Sequence, residues 1–328
     1  MAGNTDQNKT MGLSAIVGQE KAKKIMIRAI ASGRIAHAYL FRGPAGVGKK
    51  LFAQTFAAWL SCPRPLAEGG CGSCSSCRKY RSGNHPDICY LEPDNGALKI
   101  DQIRAFCRSL AYPPYESPYR VSILEDVHEM RAAAANSLLK TLEEPPAQNV
   151  LILTAESSKA VLPTIQSRCQ ELPFYRLSVP DTGIVLQRLR PELDSAALLL
   201  LARLSQGCPG QALRLLDQEL VELYEKTVAI LAQTAAPDSL TGDERLLKLS
   251  AELAALKEDL LLFFGLLRIW LAEQIRETGQ LAGTAYKPWQ RQLEYIDEAE
   301  RQLRRNCNRT LVCEVLLFNL QSPSARVS

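Results

Sequence analysis

Histidine is nearly absent from this chain, with 3 residues in 328. His37, His85 and His128 make no pair at metal-ligand spacing and have no matched nucleophile, so a structural role is expected of each. Net charge is small as well. Lysine and arginine total 39 against 35 acidic residues, a formal +4, which taken alone argues for a solvated surface and not for nucleic-acid binding. The opening "MAGNTDQNKT" lacks the apolar core of a signal peptide; it reads as a frayed tail, and a cytoplasmic protein is expected. Long hydrophobic runs are missing too. The longest, "DLLLFFGLLRIWLAEQI", carries Arg268 and Glu273 and is short for a membrane span, so no membrane association is expected. With no export signal, the 10 cysteines are expected to be metal ligands or buried thiols in a reducing compartment, not disulfides. No repeat and no low-complexity tract is present.

What the chain does contain is a change of pattern along its length. Short apolar runs, "HAYLFRG", "DICYLEP", "YRVSILED" and "NVLILTAE", have the look of parallel strands buried on both faces. Between them lie the helical stretches "EKAKKIMIRAIASG", "KKLFAQTFAAWL", "DQIRAFCRSLAY" and "AAAANSLLKTLEE", the last stopped by Pro145-Pro146. Strands alternating with helices predict a parallel sheet with crossover helices. After about Phe174 only helical patterns remain: "TGIVLQRLR", "SAALLLLARLS" and "PGQALRLLDQEL". A linker-like "AAPDSLTGD" precedes long helices over Glu244 to Thr278 and Trp289 to Gln302 and a final "LVCEVLLFNL". The expected fold is α/β first and all-α after, in two or three domains.

"FRGPAGVGKKLF" comes close to a phosphate-binding loop. Gly43, Gly48 and Lys49 satisfy G-x-x-x-x-G-K, with Gly46 giving further freedom, and the loop stands between a predicted strand and a predicted helix. Such a turn aims backbone N–H groups and a helix dipole at an anion. Lys50 occupies the position where a hydroxyl would hold magnesium. A second strand ends in Glu125-Asp126, the reverse of the acid order that steers the metal and polarises water. Lys50 can supply positive charge itself or pair with Glu125. Loss of hydrolysis is expected, with binding of ATP or ADP left open.

Cys62, Cys71, Cys74 and Cys77 have the spacing C-x8-C-x2-C-x2-C, directly after the loop's helix. Four thiolates can close a tetrahedral zinc site with no position left for water, which makes the module structural; an iron–sulfur cluster has similar spacing. Gly69, Gly70 and Gly72 supply the tight backbone of a knuckle. The other six cysteines, scattered among apolar residues, are expected to be packing.

The segments "IVGQEKAKKIMIRAI", "RIAHAYLFRGPAGVGKK", "GNHPDICYLEPDNGALKIDQIRAF", "YRVSILEDVHEMRAAAANSLLKTLEEPP" and "LPTIQSRCQELPF" resemble the delta-prime family of bacterial DNA polymerase III clamp-loader subunits, within the AAA+ class. The resemblance is strong from about Gly12 to Leu216. It implies a RecA-like AAA+ domain over 1–175 with a zinc module at 62–77, a helical lid over 176–220 and a helical collar over 221–328 that assembles a five-subunit ring. It favours zinc over iron–sulfur. It also implies a task within the polymerase III holoenzyme, loading the sliding clamp on primed DNA beside tau/gamma and delta subunits. The motif Ser167-Arg168-Cys169 would then carry an arginine finger, Arg168, donated to a neighbour's ATP site. In the lid, Gly210 stands where active members present an arginine, and Arg214 lies one helical turn beyond. The alternatives are a tau/gamma-type ATPase subunit, which shares the cysteines and the Ser-Arg-Cys motif, or a stand-alone AAA+ ATPase or nucleotide kinase.

Overall fold

The computed structural model describes residues 11–94, 97–232, 240–277 and 286–321. The polar opening segment and most of "AAPDSLTGD" lie outside those residues. Internal packing divides the chain into two units, with the boundary after Leu213.

In the first unit one parallel sheet holds β1 (Ala38–Arg42), β2 (Ile88–Leu91), β3 (Arg120–Leu124), β4 (Asn149–Ala155) and β5 (Gln170–Pro173), in the order β2-β3-β4-β1-β5. The four apolar runs of the sequence are β1 to β4. The fifth strand escapes that criterion. Its sequence Gln-Glu-Leu-Pro buries only Leu172 and Pro173, as an edge strand can, and a proline is tolerated there. Alternation along β1 sends Tyr39 and Phe41 to one face and Ala38 and Leu40 to the other, each into its own core.

The helices of this unit are α1 (Glu20–Ala31), α2 (Lys49–Leu60), α3 (Ser75–Arg81), α4 (Ile100–Ser109), α5 (Ala132–Glu143), α6 (Pro163–Gln166), α7 (Val179–Leu189), α8 (Ser195–Leu204) and α9 (Pro209–Asp217), the unit boundary falling within α9. Helices α1 and α2 cover the Tyr39–Phe41 face, while α4 and α5 cover the other. Phe52 of α2 meets Phe41 and Phe174 edge-on, with ring centroids 5.7 and 5.2 Å away. That contact fixes the start of α2 beyond the end of β1. Helices α7 and α8 begin on side-chain caps, Ser178 accepting from Asp181 N–H and Asp194 from Ala197 N–H.

The second unit contains α10 (Leu220–Ala232), α11 (Leu240–Ala254), α12 (Leu260–Glu277), α13 (Tyr286–Arg304) and α14 (Arg309–Gln321). The single helix expected over Glu244 to Thr278 is therefore two. Between them the chain turns at Lys257, which takes a left-handed φ of 51°. Neither glycine nor proline marks the break, so the apolar periodicity runs straight through it. No helix among the described residues is long and apolar enough to cross a membrane.

Just before β2, the fully buried Asp87 accepts the N–H groups of Tyr115, Glu116 and Ser117 at 2.5–2.9 Å. Burial pushes its carboxyl up, but the three donors outweigh this and hold it below the usual aspartate range. Nearby His85 is buried and neutral in role: its Nδ1 accepts from Asp87 N–H and its Nε2 meets Ser76 Oγ at 2.9 Å. Asp87→Ala strands the three donors and is expected to cost about 2–3 kcal/mol at pH 7. Because the folded pKa is depressed, this contribution is present above pH about 4 and is lost as pH falls below it. Urea unfolding of wild type and variant should therefore diverge at pH 7 and converge in acid.

Candidate functional site

The loop Gly43–Gly48 leaves the carboxyl end of β1, between β4 and β5, and enters α2. This is the edge where open parallel sheets collect ligand-binding groups. Lys49 is buried there, and its ammonium donates to the carbonyls of Gly43 and Pro44 at 2.6 and 2.9 Å. Burial lowers its pKa, partly offset by Asp126 and Glu156. The loop's lysine is thus satisfied by the loop itself.

Lys50 extends toward the ends of two further strands. Its ammonium lies 2.8 Å from Glu125 and 2.7 Å from Glu92. Burial works against the cation, yet the two carboxylates together raise its pKa above the lysine norm. Glu125 is driven the other way: burial raises its pKa, and Lys50 opposes that rise. The Lys50–Glu125 pairing read from the sequence is present. Glu92 was not read as part of the site, although its place just past β2, at the same edge of the sheet, is the signal that would have found it. Asp126 follows in a left-handed turn, φ 48°, with its N–H donated to the buried Thr154 hydroxyl of β4.

The amino end of α9 closes the loop from above. Gly210 N–H donates to the Gly46 carbonyl at 2.9 Å. A Cβ on Gly46, whose φ is +74°, would fall 2.7 Å from Gln211 N, and one on Gly210 would fall 2.7 Å from Gly46 Cα. Only a pair of glycines allows this approach. An arginine at position 210 would have no room. Arg214, one turn on, is paired with Asp259 at 2.6 Å.

Arg168 follows α6 and precedes β5. Its guanidinium donates to Thr164 O at 3.0 Å, Ser167 Oγ at 3.1 Å and Glu143 Oε1 at 2.7 Å, and remains partly exposed. Register places Gln170 beside Tyr39 and Pro173 beside Arg42. Arg168, two residues before β5, therefore stands at the amino edge of the sheet and the loop, which follows Arg42, at the carboxyl edge, with the whole β5 span between them, roughly 10 Å at about 3.3 Å per residue. Cys169, half-buried against the core beneath α5, has its thiol pKa pushed up to about 12 by burial. Glu143, the last residue of α5, is the partner that motif reading missed.

The four cysteines of the module converge. All their sulfurs lie within 4.8 Å of one another, with Cys62–Cys74 at 3.9 Å and Cys71–Cys77 at 4.0 Å. A tetrahedral ion at about 2.3 Å from each sulfur needs sulfur separations of about 3.8 Å. The set fits one ion, whereas a cluster would spread the thiolates over several irons. N–H groups already point at the sulfurs: Cys71 N–H donates to Cys62 Sγ and Cys77 N–H to Cys74 Sγ, both at 3.4 Å. Backbone N–H bonds from Ser73 and then Cys74 pull the Cys71 thiol down to about 5, which suits a thiolate ligand, whereas burial pushes the Cys62 and Cys77 thiols up.

Against known proteins, residues 18–178 match a family described as DNA polymerase III, delta subunit. The chain is 38% identical over 195 residues to the DNA polymerase III subunit delta' of Pseudomonas aeruginosa, covering 59% of this chain and 60% of that protein. It is 33% identical over 236 residues to the subunit tau of Escherichia coli K12, covering 70% of this chain and 36% of that one. It thus spans less than two thirds of either relative. A DNA polymerase III gamma subunit-related protein from Thermotoga maritima aligns over 92% of this chain and 98% of its own, at 18% identity and a TM-score of 0.47.

Removing the ammonium between Glu92 and Glu125 gives a direct check on the pairing. Lys50→Ala should raise the Glu125 pKa further and cost about 1 kcal/mol at pH 7, the usual scale for a partly exposed pair. An acid with a raised folded pKa destabilises the fold once pH climbs above its unfolded value, near 4.3. The deficit should therefore shrink between pH 7 and pH 4 in urea titrations; a deficit independent of pH would mean that Lys50 acts by packing alone.

Proposed function

We propose, from the match of residues 18–178 to a family described as DNA polymerase III, delta subunit, and from the similarity to a delta' subunit, that the chain is a clamp-loader subunit that does not hydrolyse ATP itself but assists a neighbour that does. The observation that carries this is Lys50. A hydroxyl would offer magnesium a ligand, whereas the ammonium excludes a second cation and consumes both nearby carboxylates. Lys49 turned onto its own loop and Gly210 seated on Gly46 point the same way.

Arg168 would serve the ATP site of an adjacent tau/gamma-type subunit, since it lies at the opposite sheet edge from this chain's own loop. A guanidinium at that junction would stabilise charge on the transferring phosphoryl group. On this reading the chain joins tau/gamma and delta subunits in a cytoplasmic ring of the polymerase III holoenzyme that places the sliding clamp on primed DNA. The working division is an AAA+ RecA-like domain over 1–175, a lid over 176–220 and a collar over 221–328. The cysteine set would hold one structural zinc. A tau/gamma-type ATPase is the second reading, favoured by the similarity to the tau subunit; ATP turnover by the purified chain would select it.

Two outcomes are expected. In a reconstituted loader with clamp and primed DNA, Arg168→Ala should slow ATP turnover at the adjoining site by about 10³ to 10⁵, the usual worth of a finger, with a smaller loss for the whole ring. Arg168→Lys should rescue poorly, because the planar fork is lost. Unchanged turnover in Arg168→Ala would remove the trans role. Metal analysis after reducing purification should find one zinc per chain, and Cys74→Ser should release it; iron would refute the assignment.

A further inference from the structure

The chain ahead of α1 is gripped by the cysteine module. Leu66 N–H donates to Gly69 O at 2.8 Å, forming a tight turn inside the eight-residue gap between Cys62 and Cys71, and Trp59 Nε1 anchors it through Leu66 O at 3.0 Å. The outer edge of that turn pairs with Met11–Leu13. Gly70 N–H donates to Met11 O and Leu13 N–H to Glu68 O, both at 2.8 Å, with an antiparallel bridge between Gly12 and Gly69. Met11 also packs on the cysteine cluster itself. At Gly69 a Cβ would lie 2.1 Å from Met11 O and 2.5 Å from Gly12 Cα, so the fit admits no side chain there.

Beyond the grip, the segment is committed to the rest of the unit. Leu13 is fully buried and Ile16 nearly so, in the core under α1 and α2. Gln19 then makes two hydrogen bonds to the backbone of Tyr175, donating to its carbonyl at 2.7 Å and accepting its N–H at 3.0 Å. Gly18 abuts Leu177. These residues form the exit from β5 into α7.

We propose that the module is a binding site for the chain's own segment Met11–Leu13, a clasp shaped by the metal, and that the ion thereby secures residues 11–19 up to the β5–α7 junction. This rests on the reading that Cys62, Cys71, Cys74 and Cys77 hold an ion. The turn that binds the segment has a ligand at each end, at Cys62 and Cys71. Without the ion, the two ends are joined only by the Cys71 N–H bond to Cys62 Sγ at 3.4 Å, beside the Cys62 N–H bond to Trp59 O.

The test is amide hydrogen exchange on the full chain, zinc-loaded and after chelation under reducing conditions, with zinc content measured in parallel. Chelation should accelerate exchange in residues 11–19 and 66–72 by at least about 10-fold, the scale of one or two lost hydrogen bonds, while β1 and β4 stay protected. Gly69→Ala should expose residues 11–19 with the zinc retained, which separates the grip from the metal. Zinc that leaves with no change in residues 11–19 overturns the clasp, as does Gly69→Ala with the Leu13 amide still protected. A chain that never holds an ion overturns the metal reading, and the metal-dependent clasp falls with it.

Discussion

Helix α2 is enclosed along most of its length. Phe52, Ala53, Phe56, Ala57 and Trp59 are all buried, and Phe52 sits edge-on between Phe41 of β1 and Phe174 beyond the edge strand. Rings of this size contribute several kcal/mol each through burial and resist displacement. The helix therefore cannot rotate or slide without opening the core, and its first two residues, Lys49 and Lys50, have their Cα positions dictated by packing. The charges of the site follow from that placement. One ammonium falls within reach of the loop carbonyls, and the next falls between the ends of β2 and β3.

A monovalent ammonium and a divalent ion make different demands on that space. Magnesium holds near-ideal octahedral geometry at about 2.0–2.1 Å and bridges phosphate oxygens. An ammonium makes hydrogen bonds at ordinary lengths, and here two are spent on Glu92 and Glu125. The burial that raises the Glu125 pKa would leave an unpaired carboxylate costly, so Lys50 and Glu125 each make the other tolerable. Asp126 remains at the site's edge with its backbone held by Thr154. Such a site has its charges paired without a metal, and on the proposed reading it keeps a phosphate-type loop that does not hydrolyse.

Parts of this were readable from the sequence, and the reasons differ. The glycines of the loop, the cysteine spacing and the Ser-Arg-Cys motif are local patterns in which a few neighbouring residues carry the chemistry. The pairing of Lys50 with Glu125 was legible because a cation at that position needs an anion, and the acids at a strand end supply one. Glu92, Glu143 and the Gly46–Gly210 approach are contacts between residues 25 to 164 positions apart, which no local pattern encodes. The strand Gln170–Pro173 lacks an apolar run because it is an edge. The turn at Lys257 carries no glycine or proline, so nothing in its composition announces it. The grip of Gly69 and Gly70 on Met11–Leu13 was half visible: the glycines marked a tight knuckle, but not what it holds.

On the proposed reading, Arg168 has to leave one acid for another. Its ion pair with Glu143 is partly exposed, and pairs of that kind contribute about 1 kcal/mol or less. A phosphate presented by a neighbour carries more charge and accepts both arms of the fork, so the exchange runs downhill. Meanwhile the bonds to Thr164 O and Ser167 Oγ come from the turn that carries the arginine and can persist through it. The guanidinium is thus oriented before any phosphate arrives, and only the Glu143 contact need be given up. Its own loop cannot make that offer, because sheet register sets the two at opposite edges. On that reading, the catalytic use of Arg168 lies beside a second subunit's nucleotide, while within its own chain it makes only the Glu143 pair and the bonds of its turn.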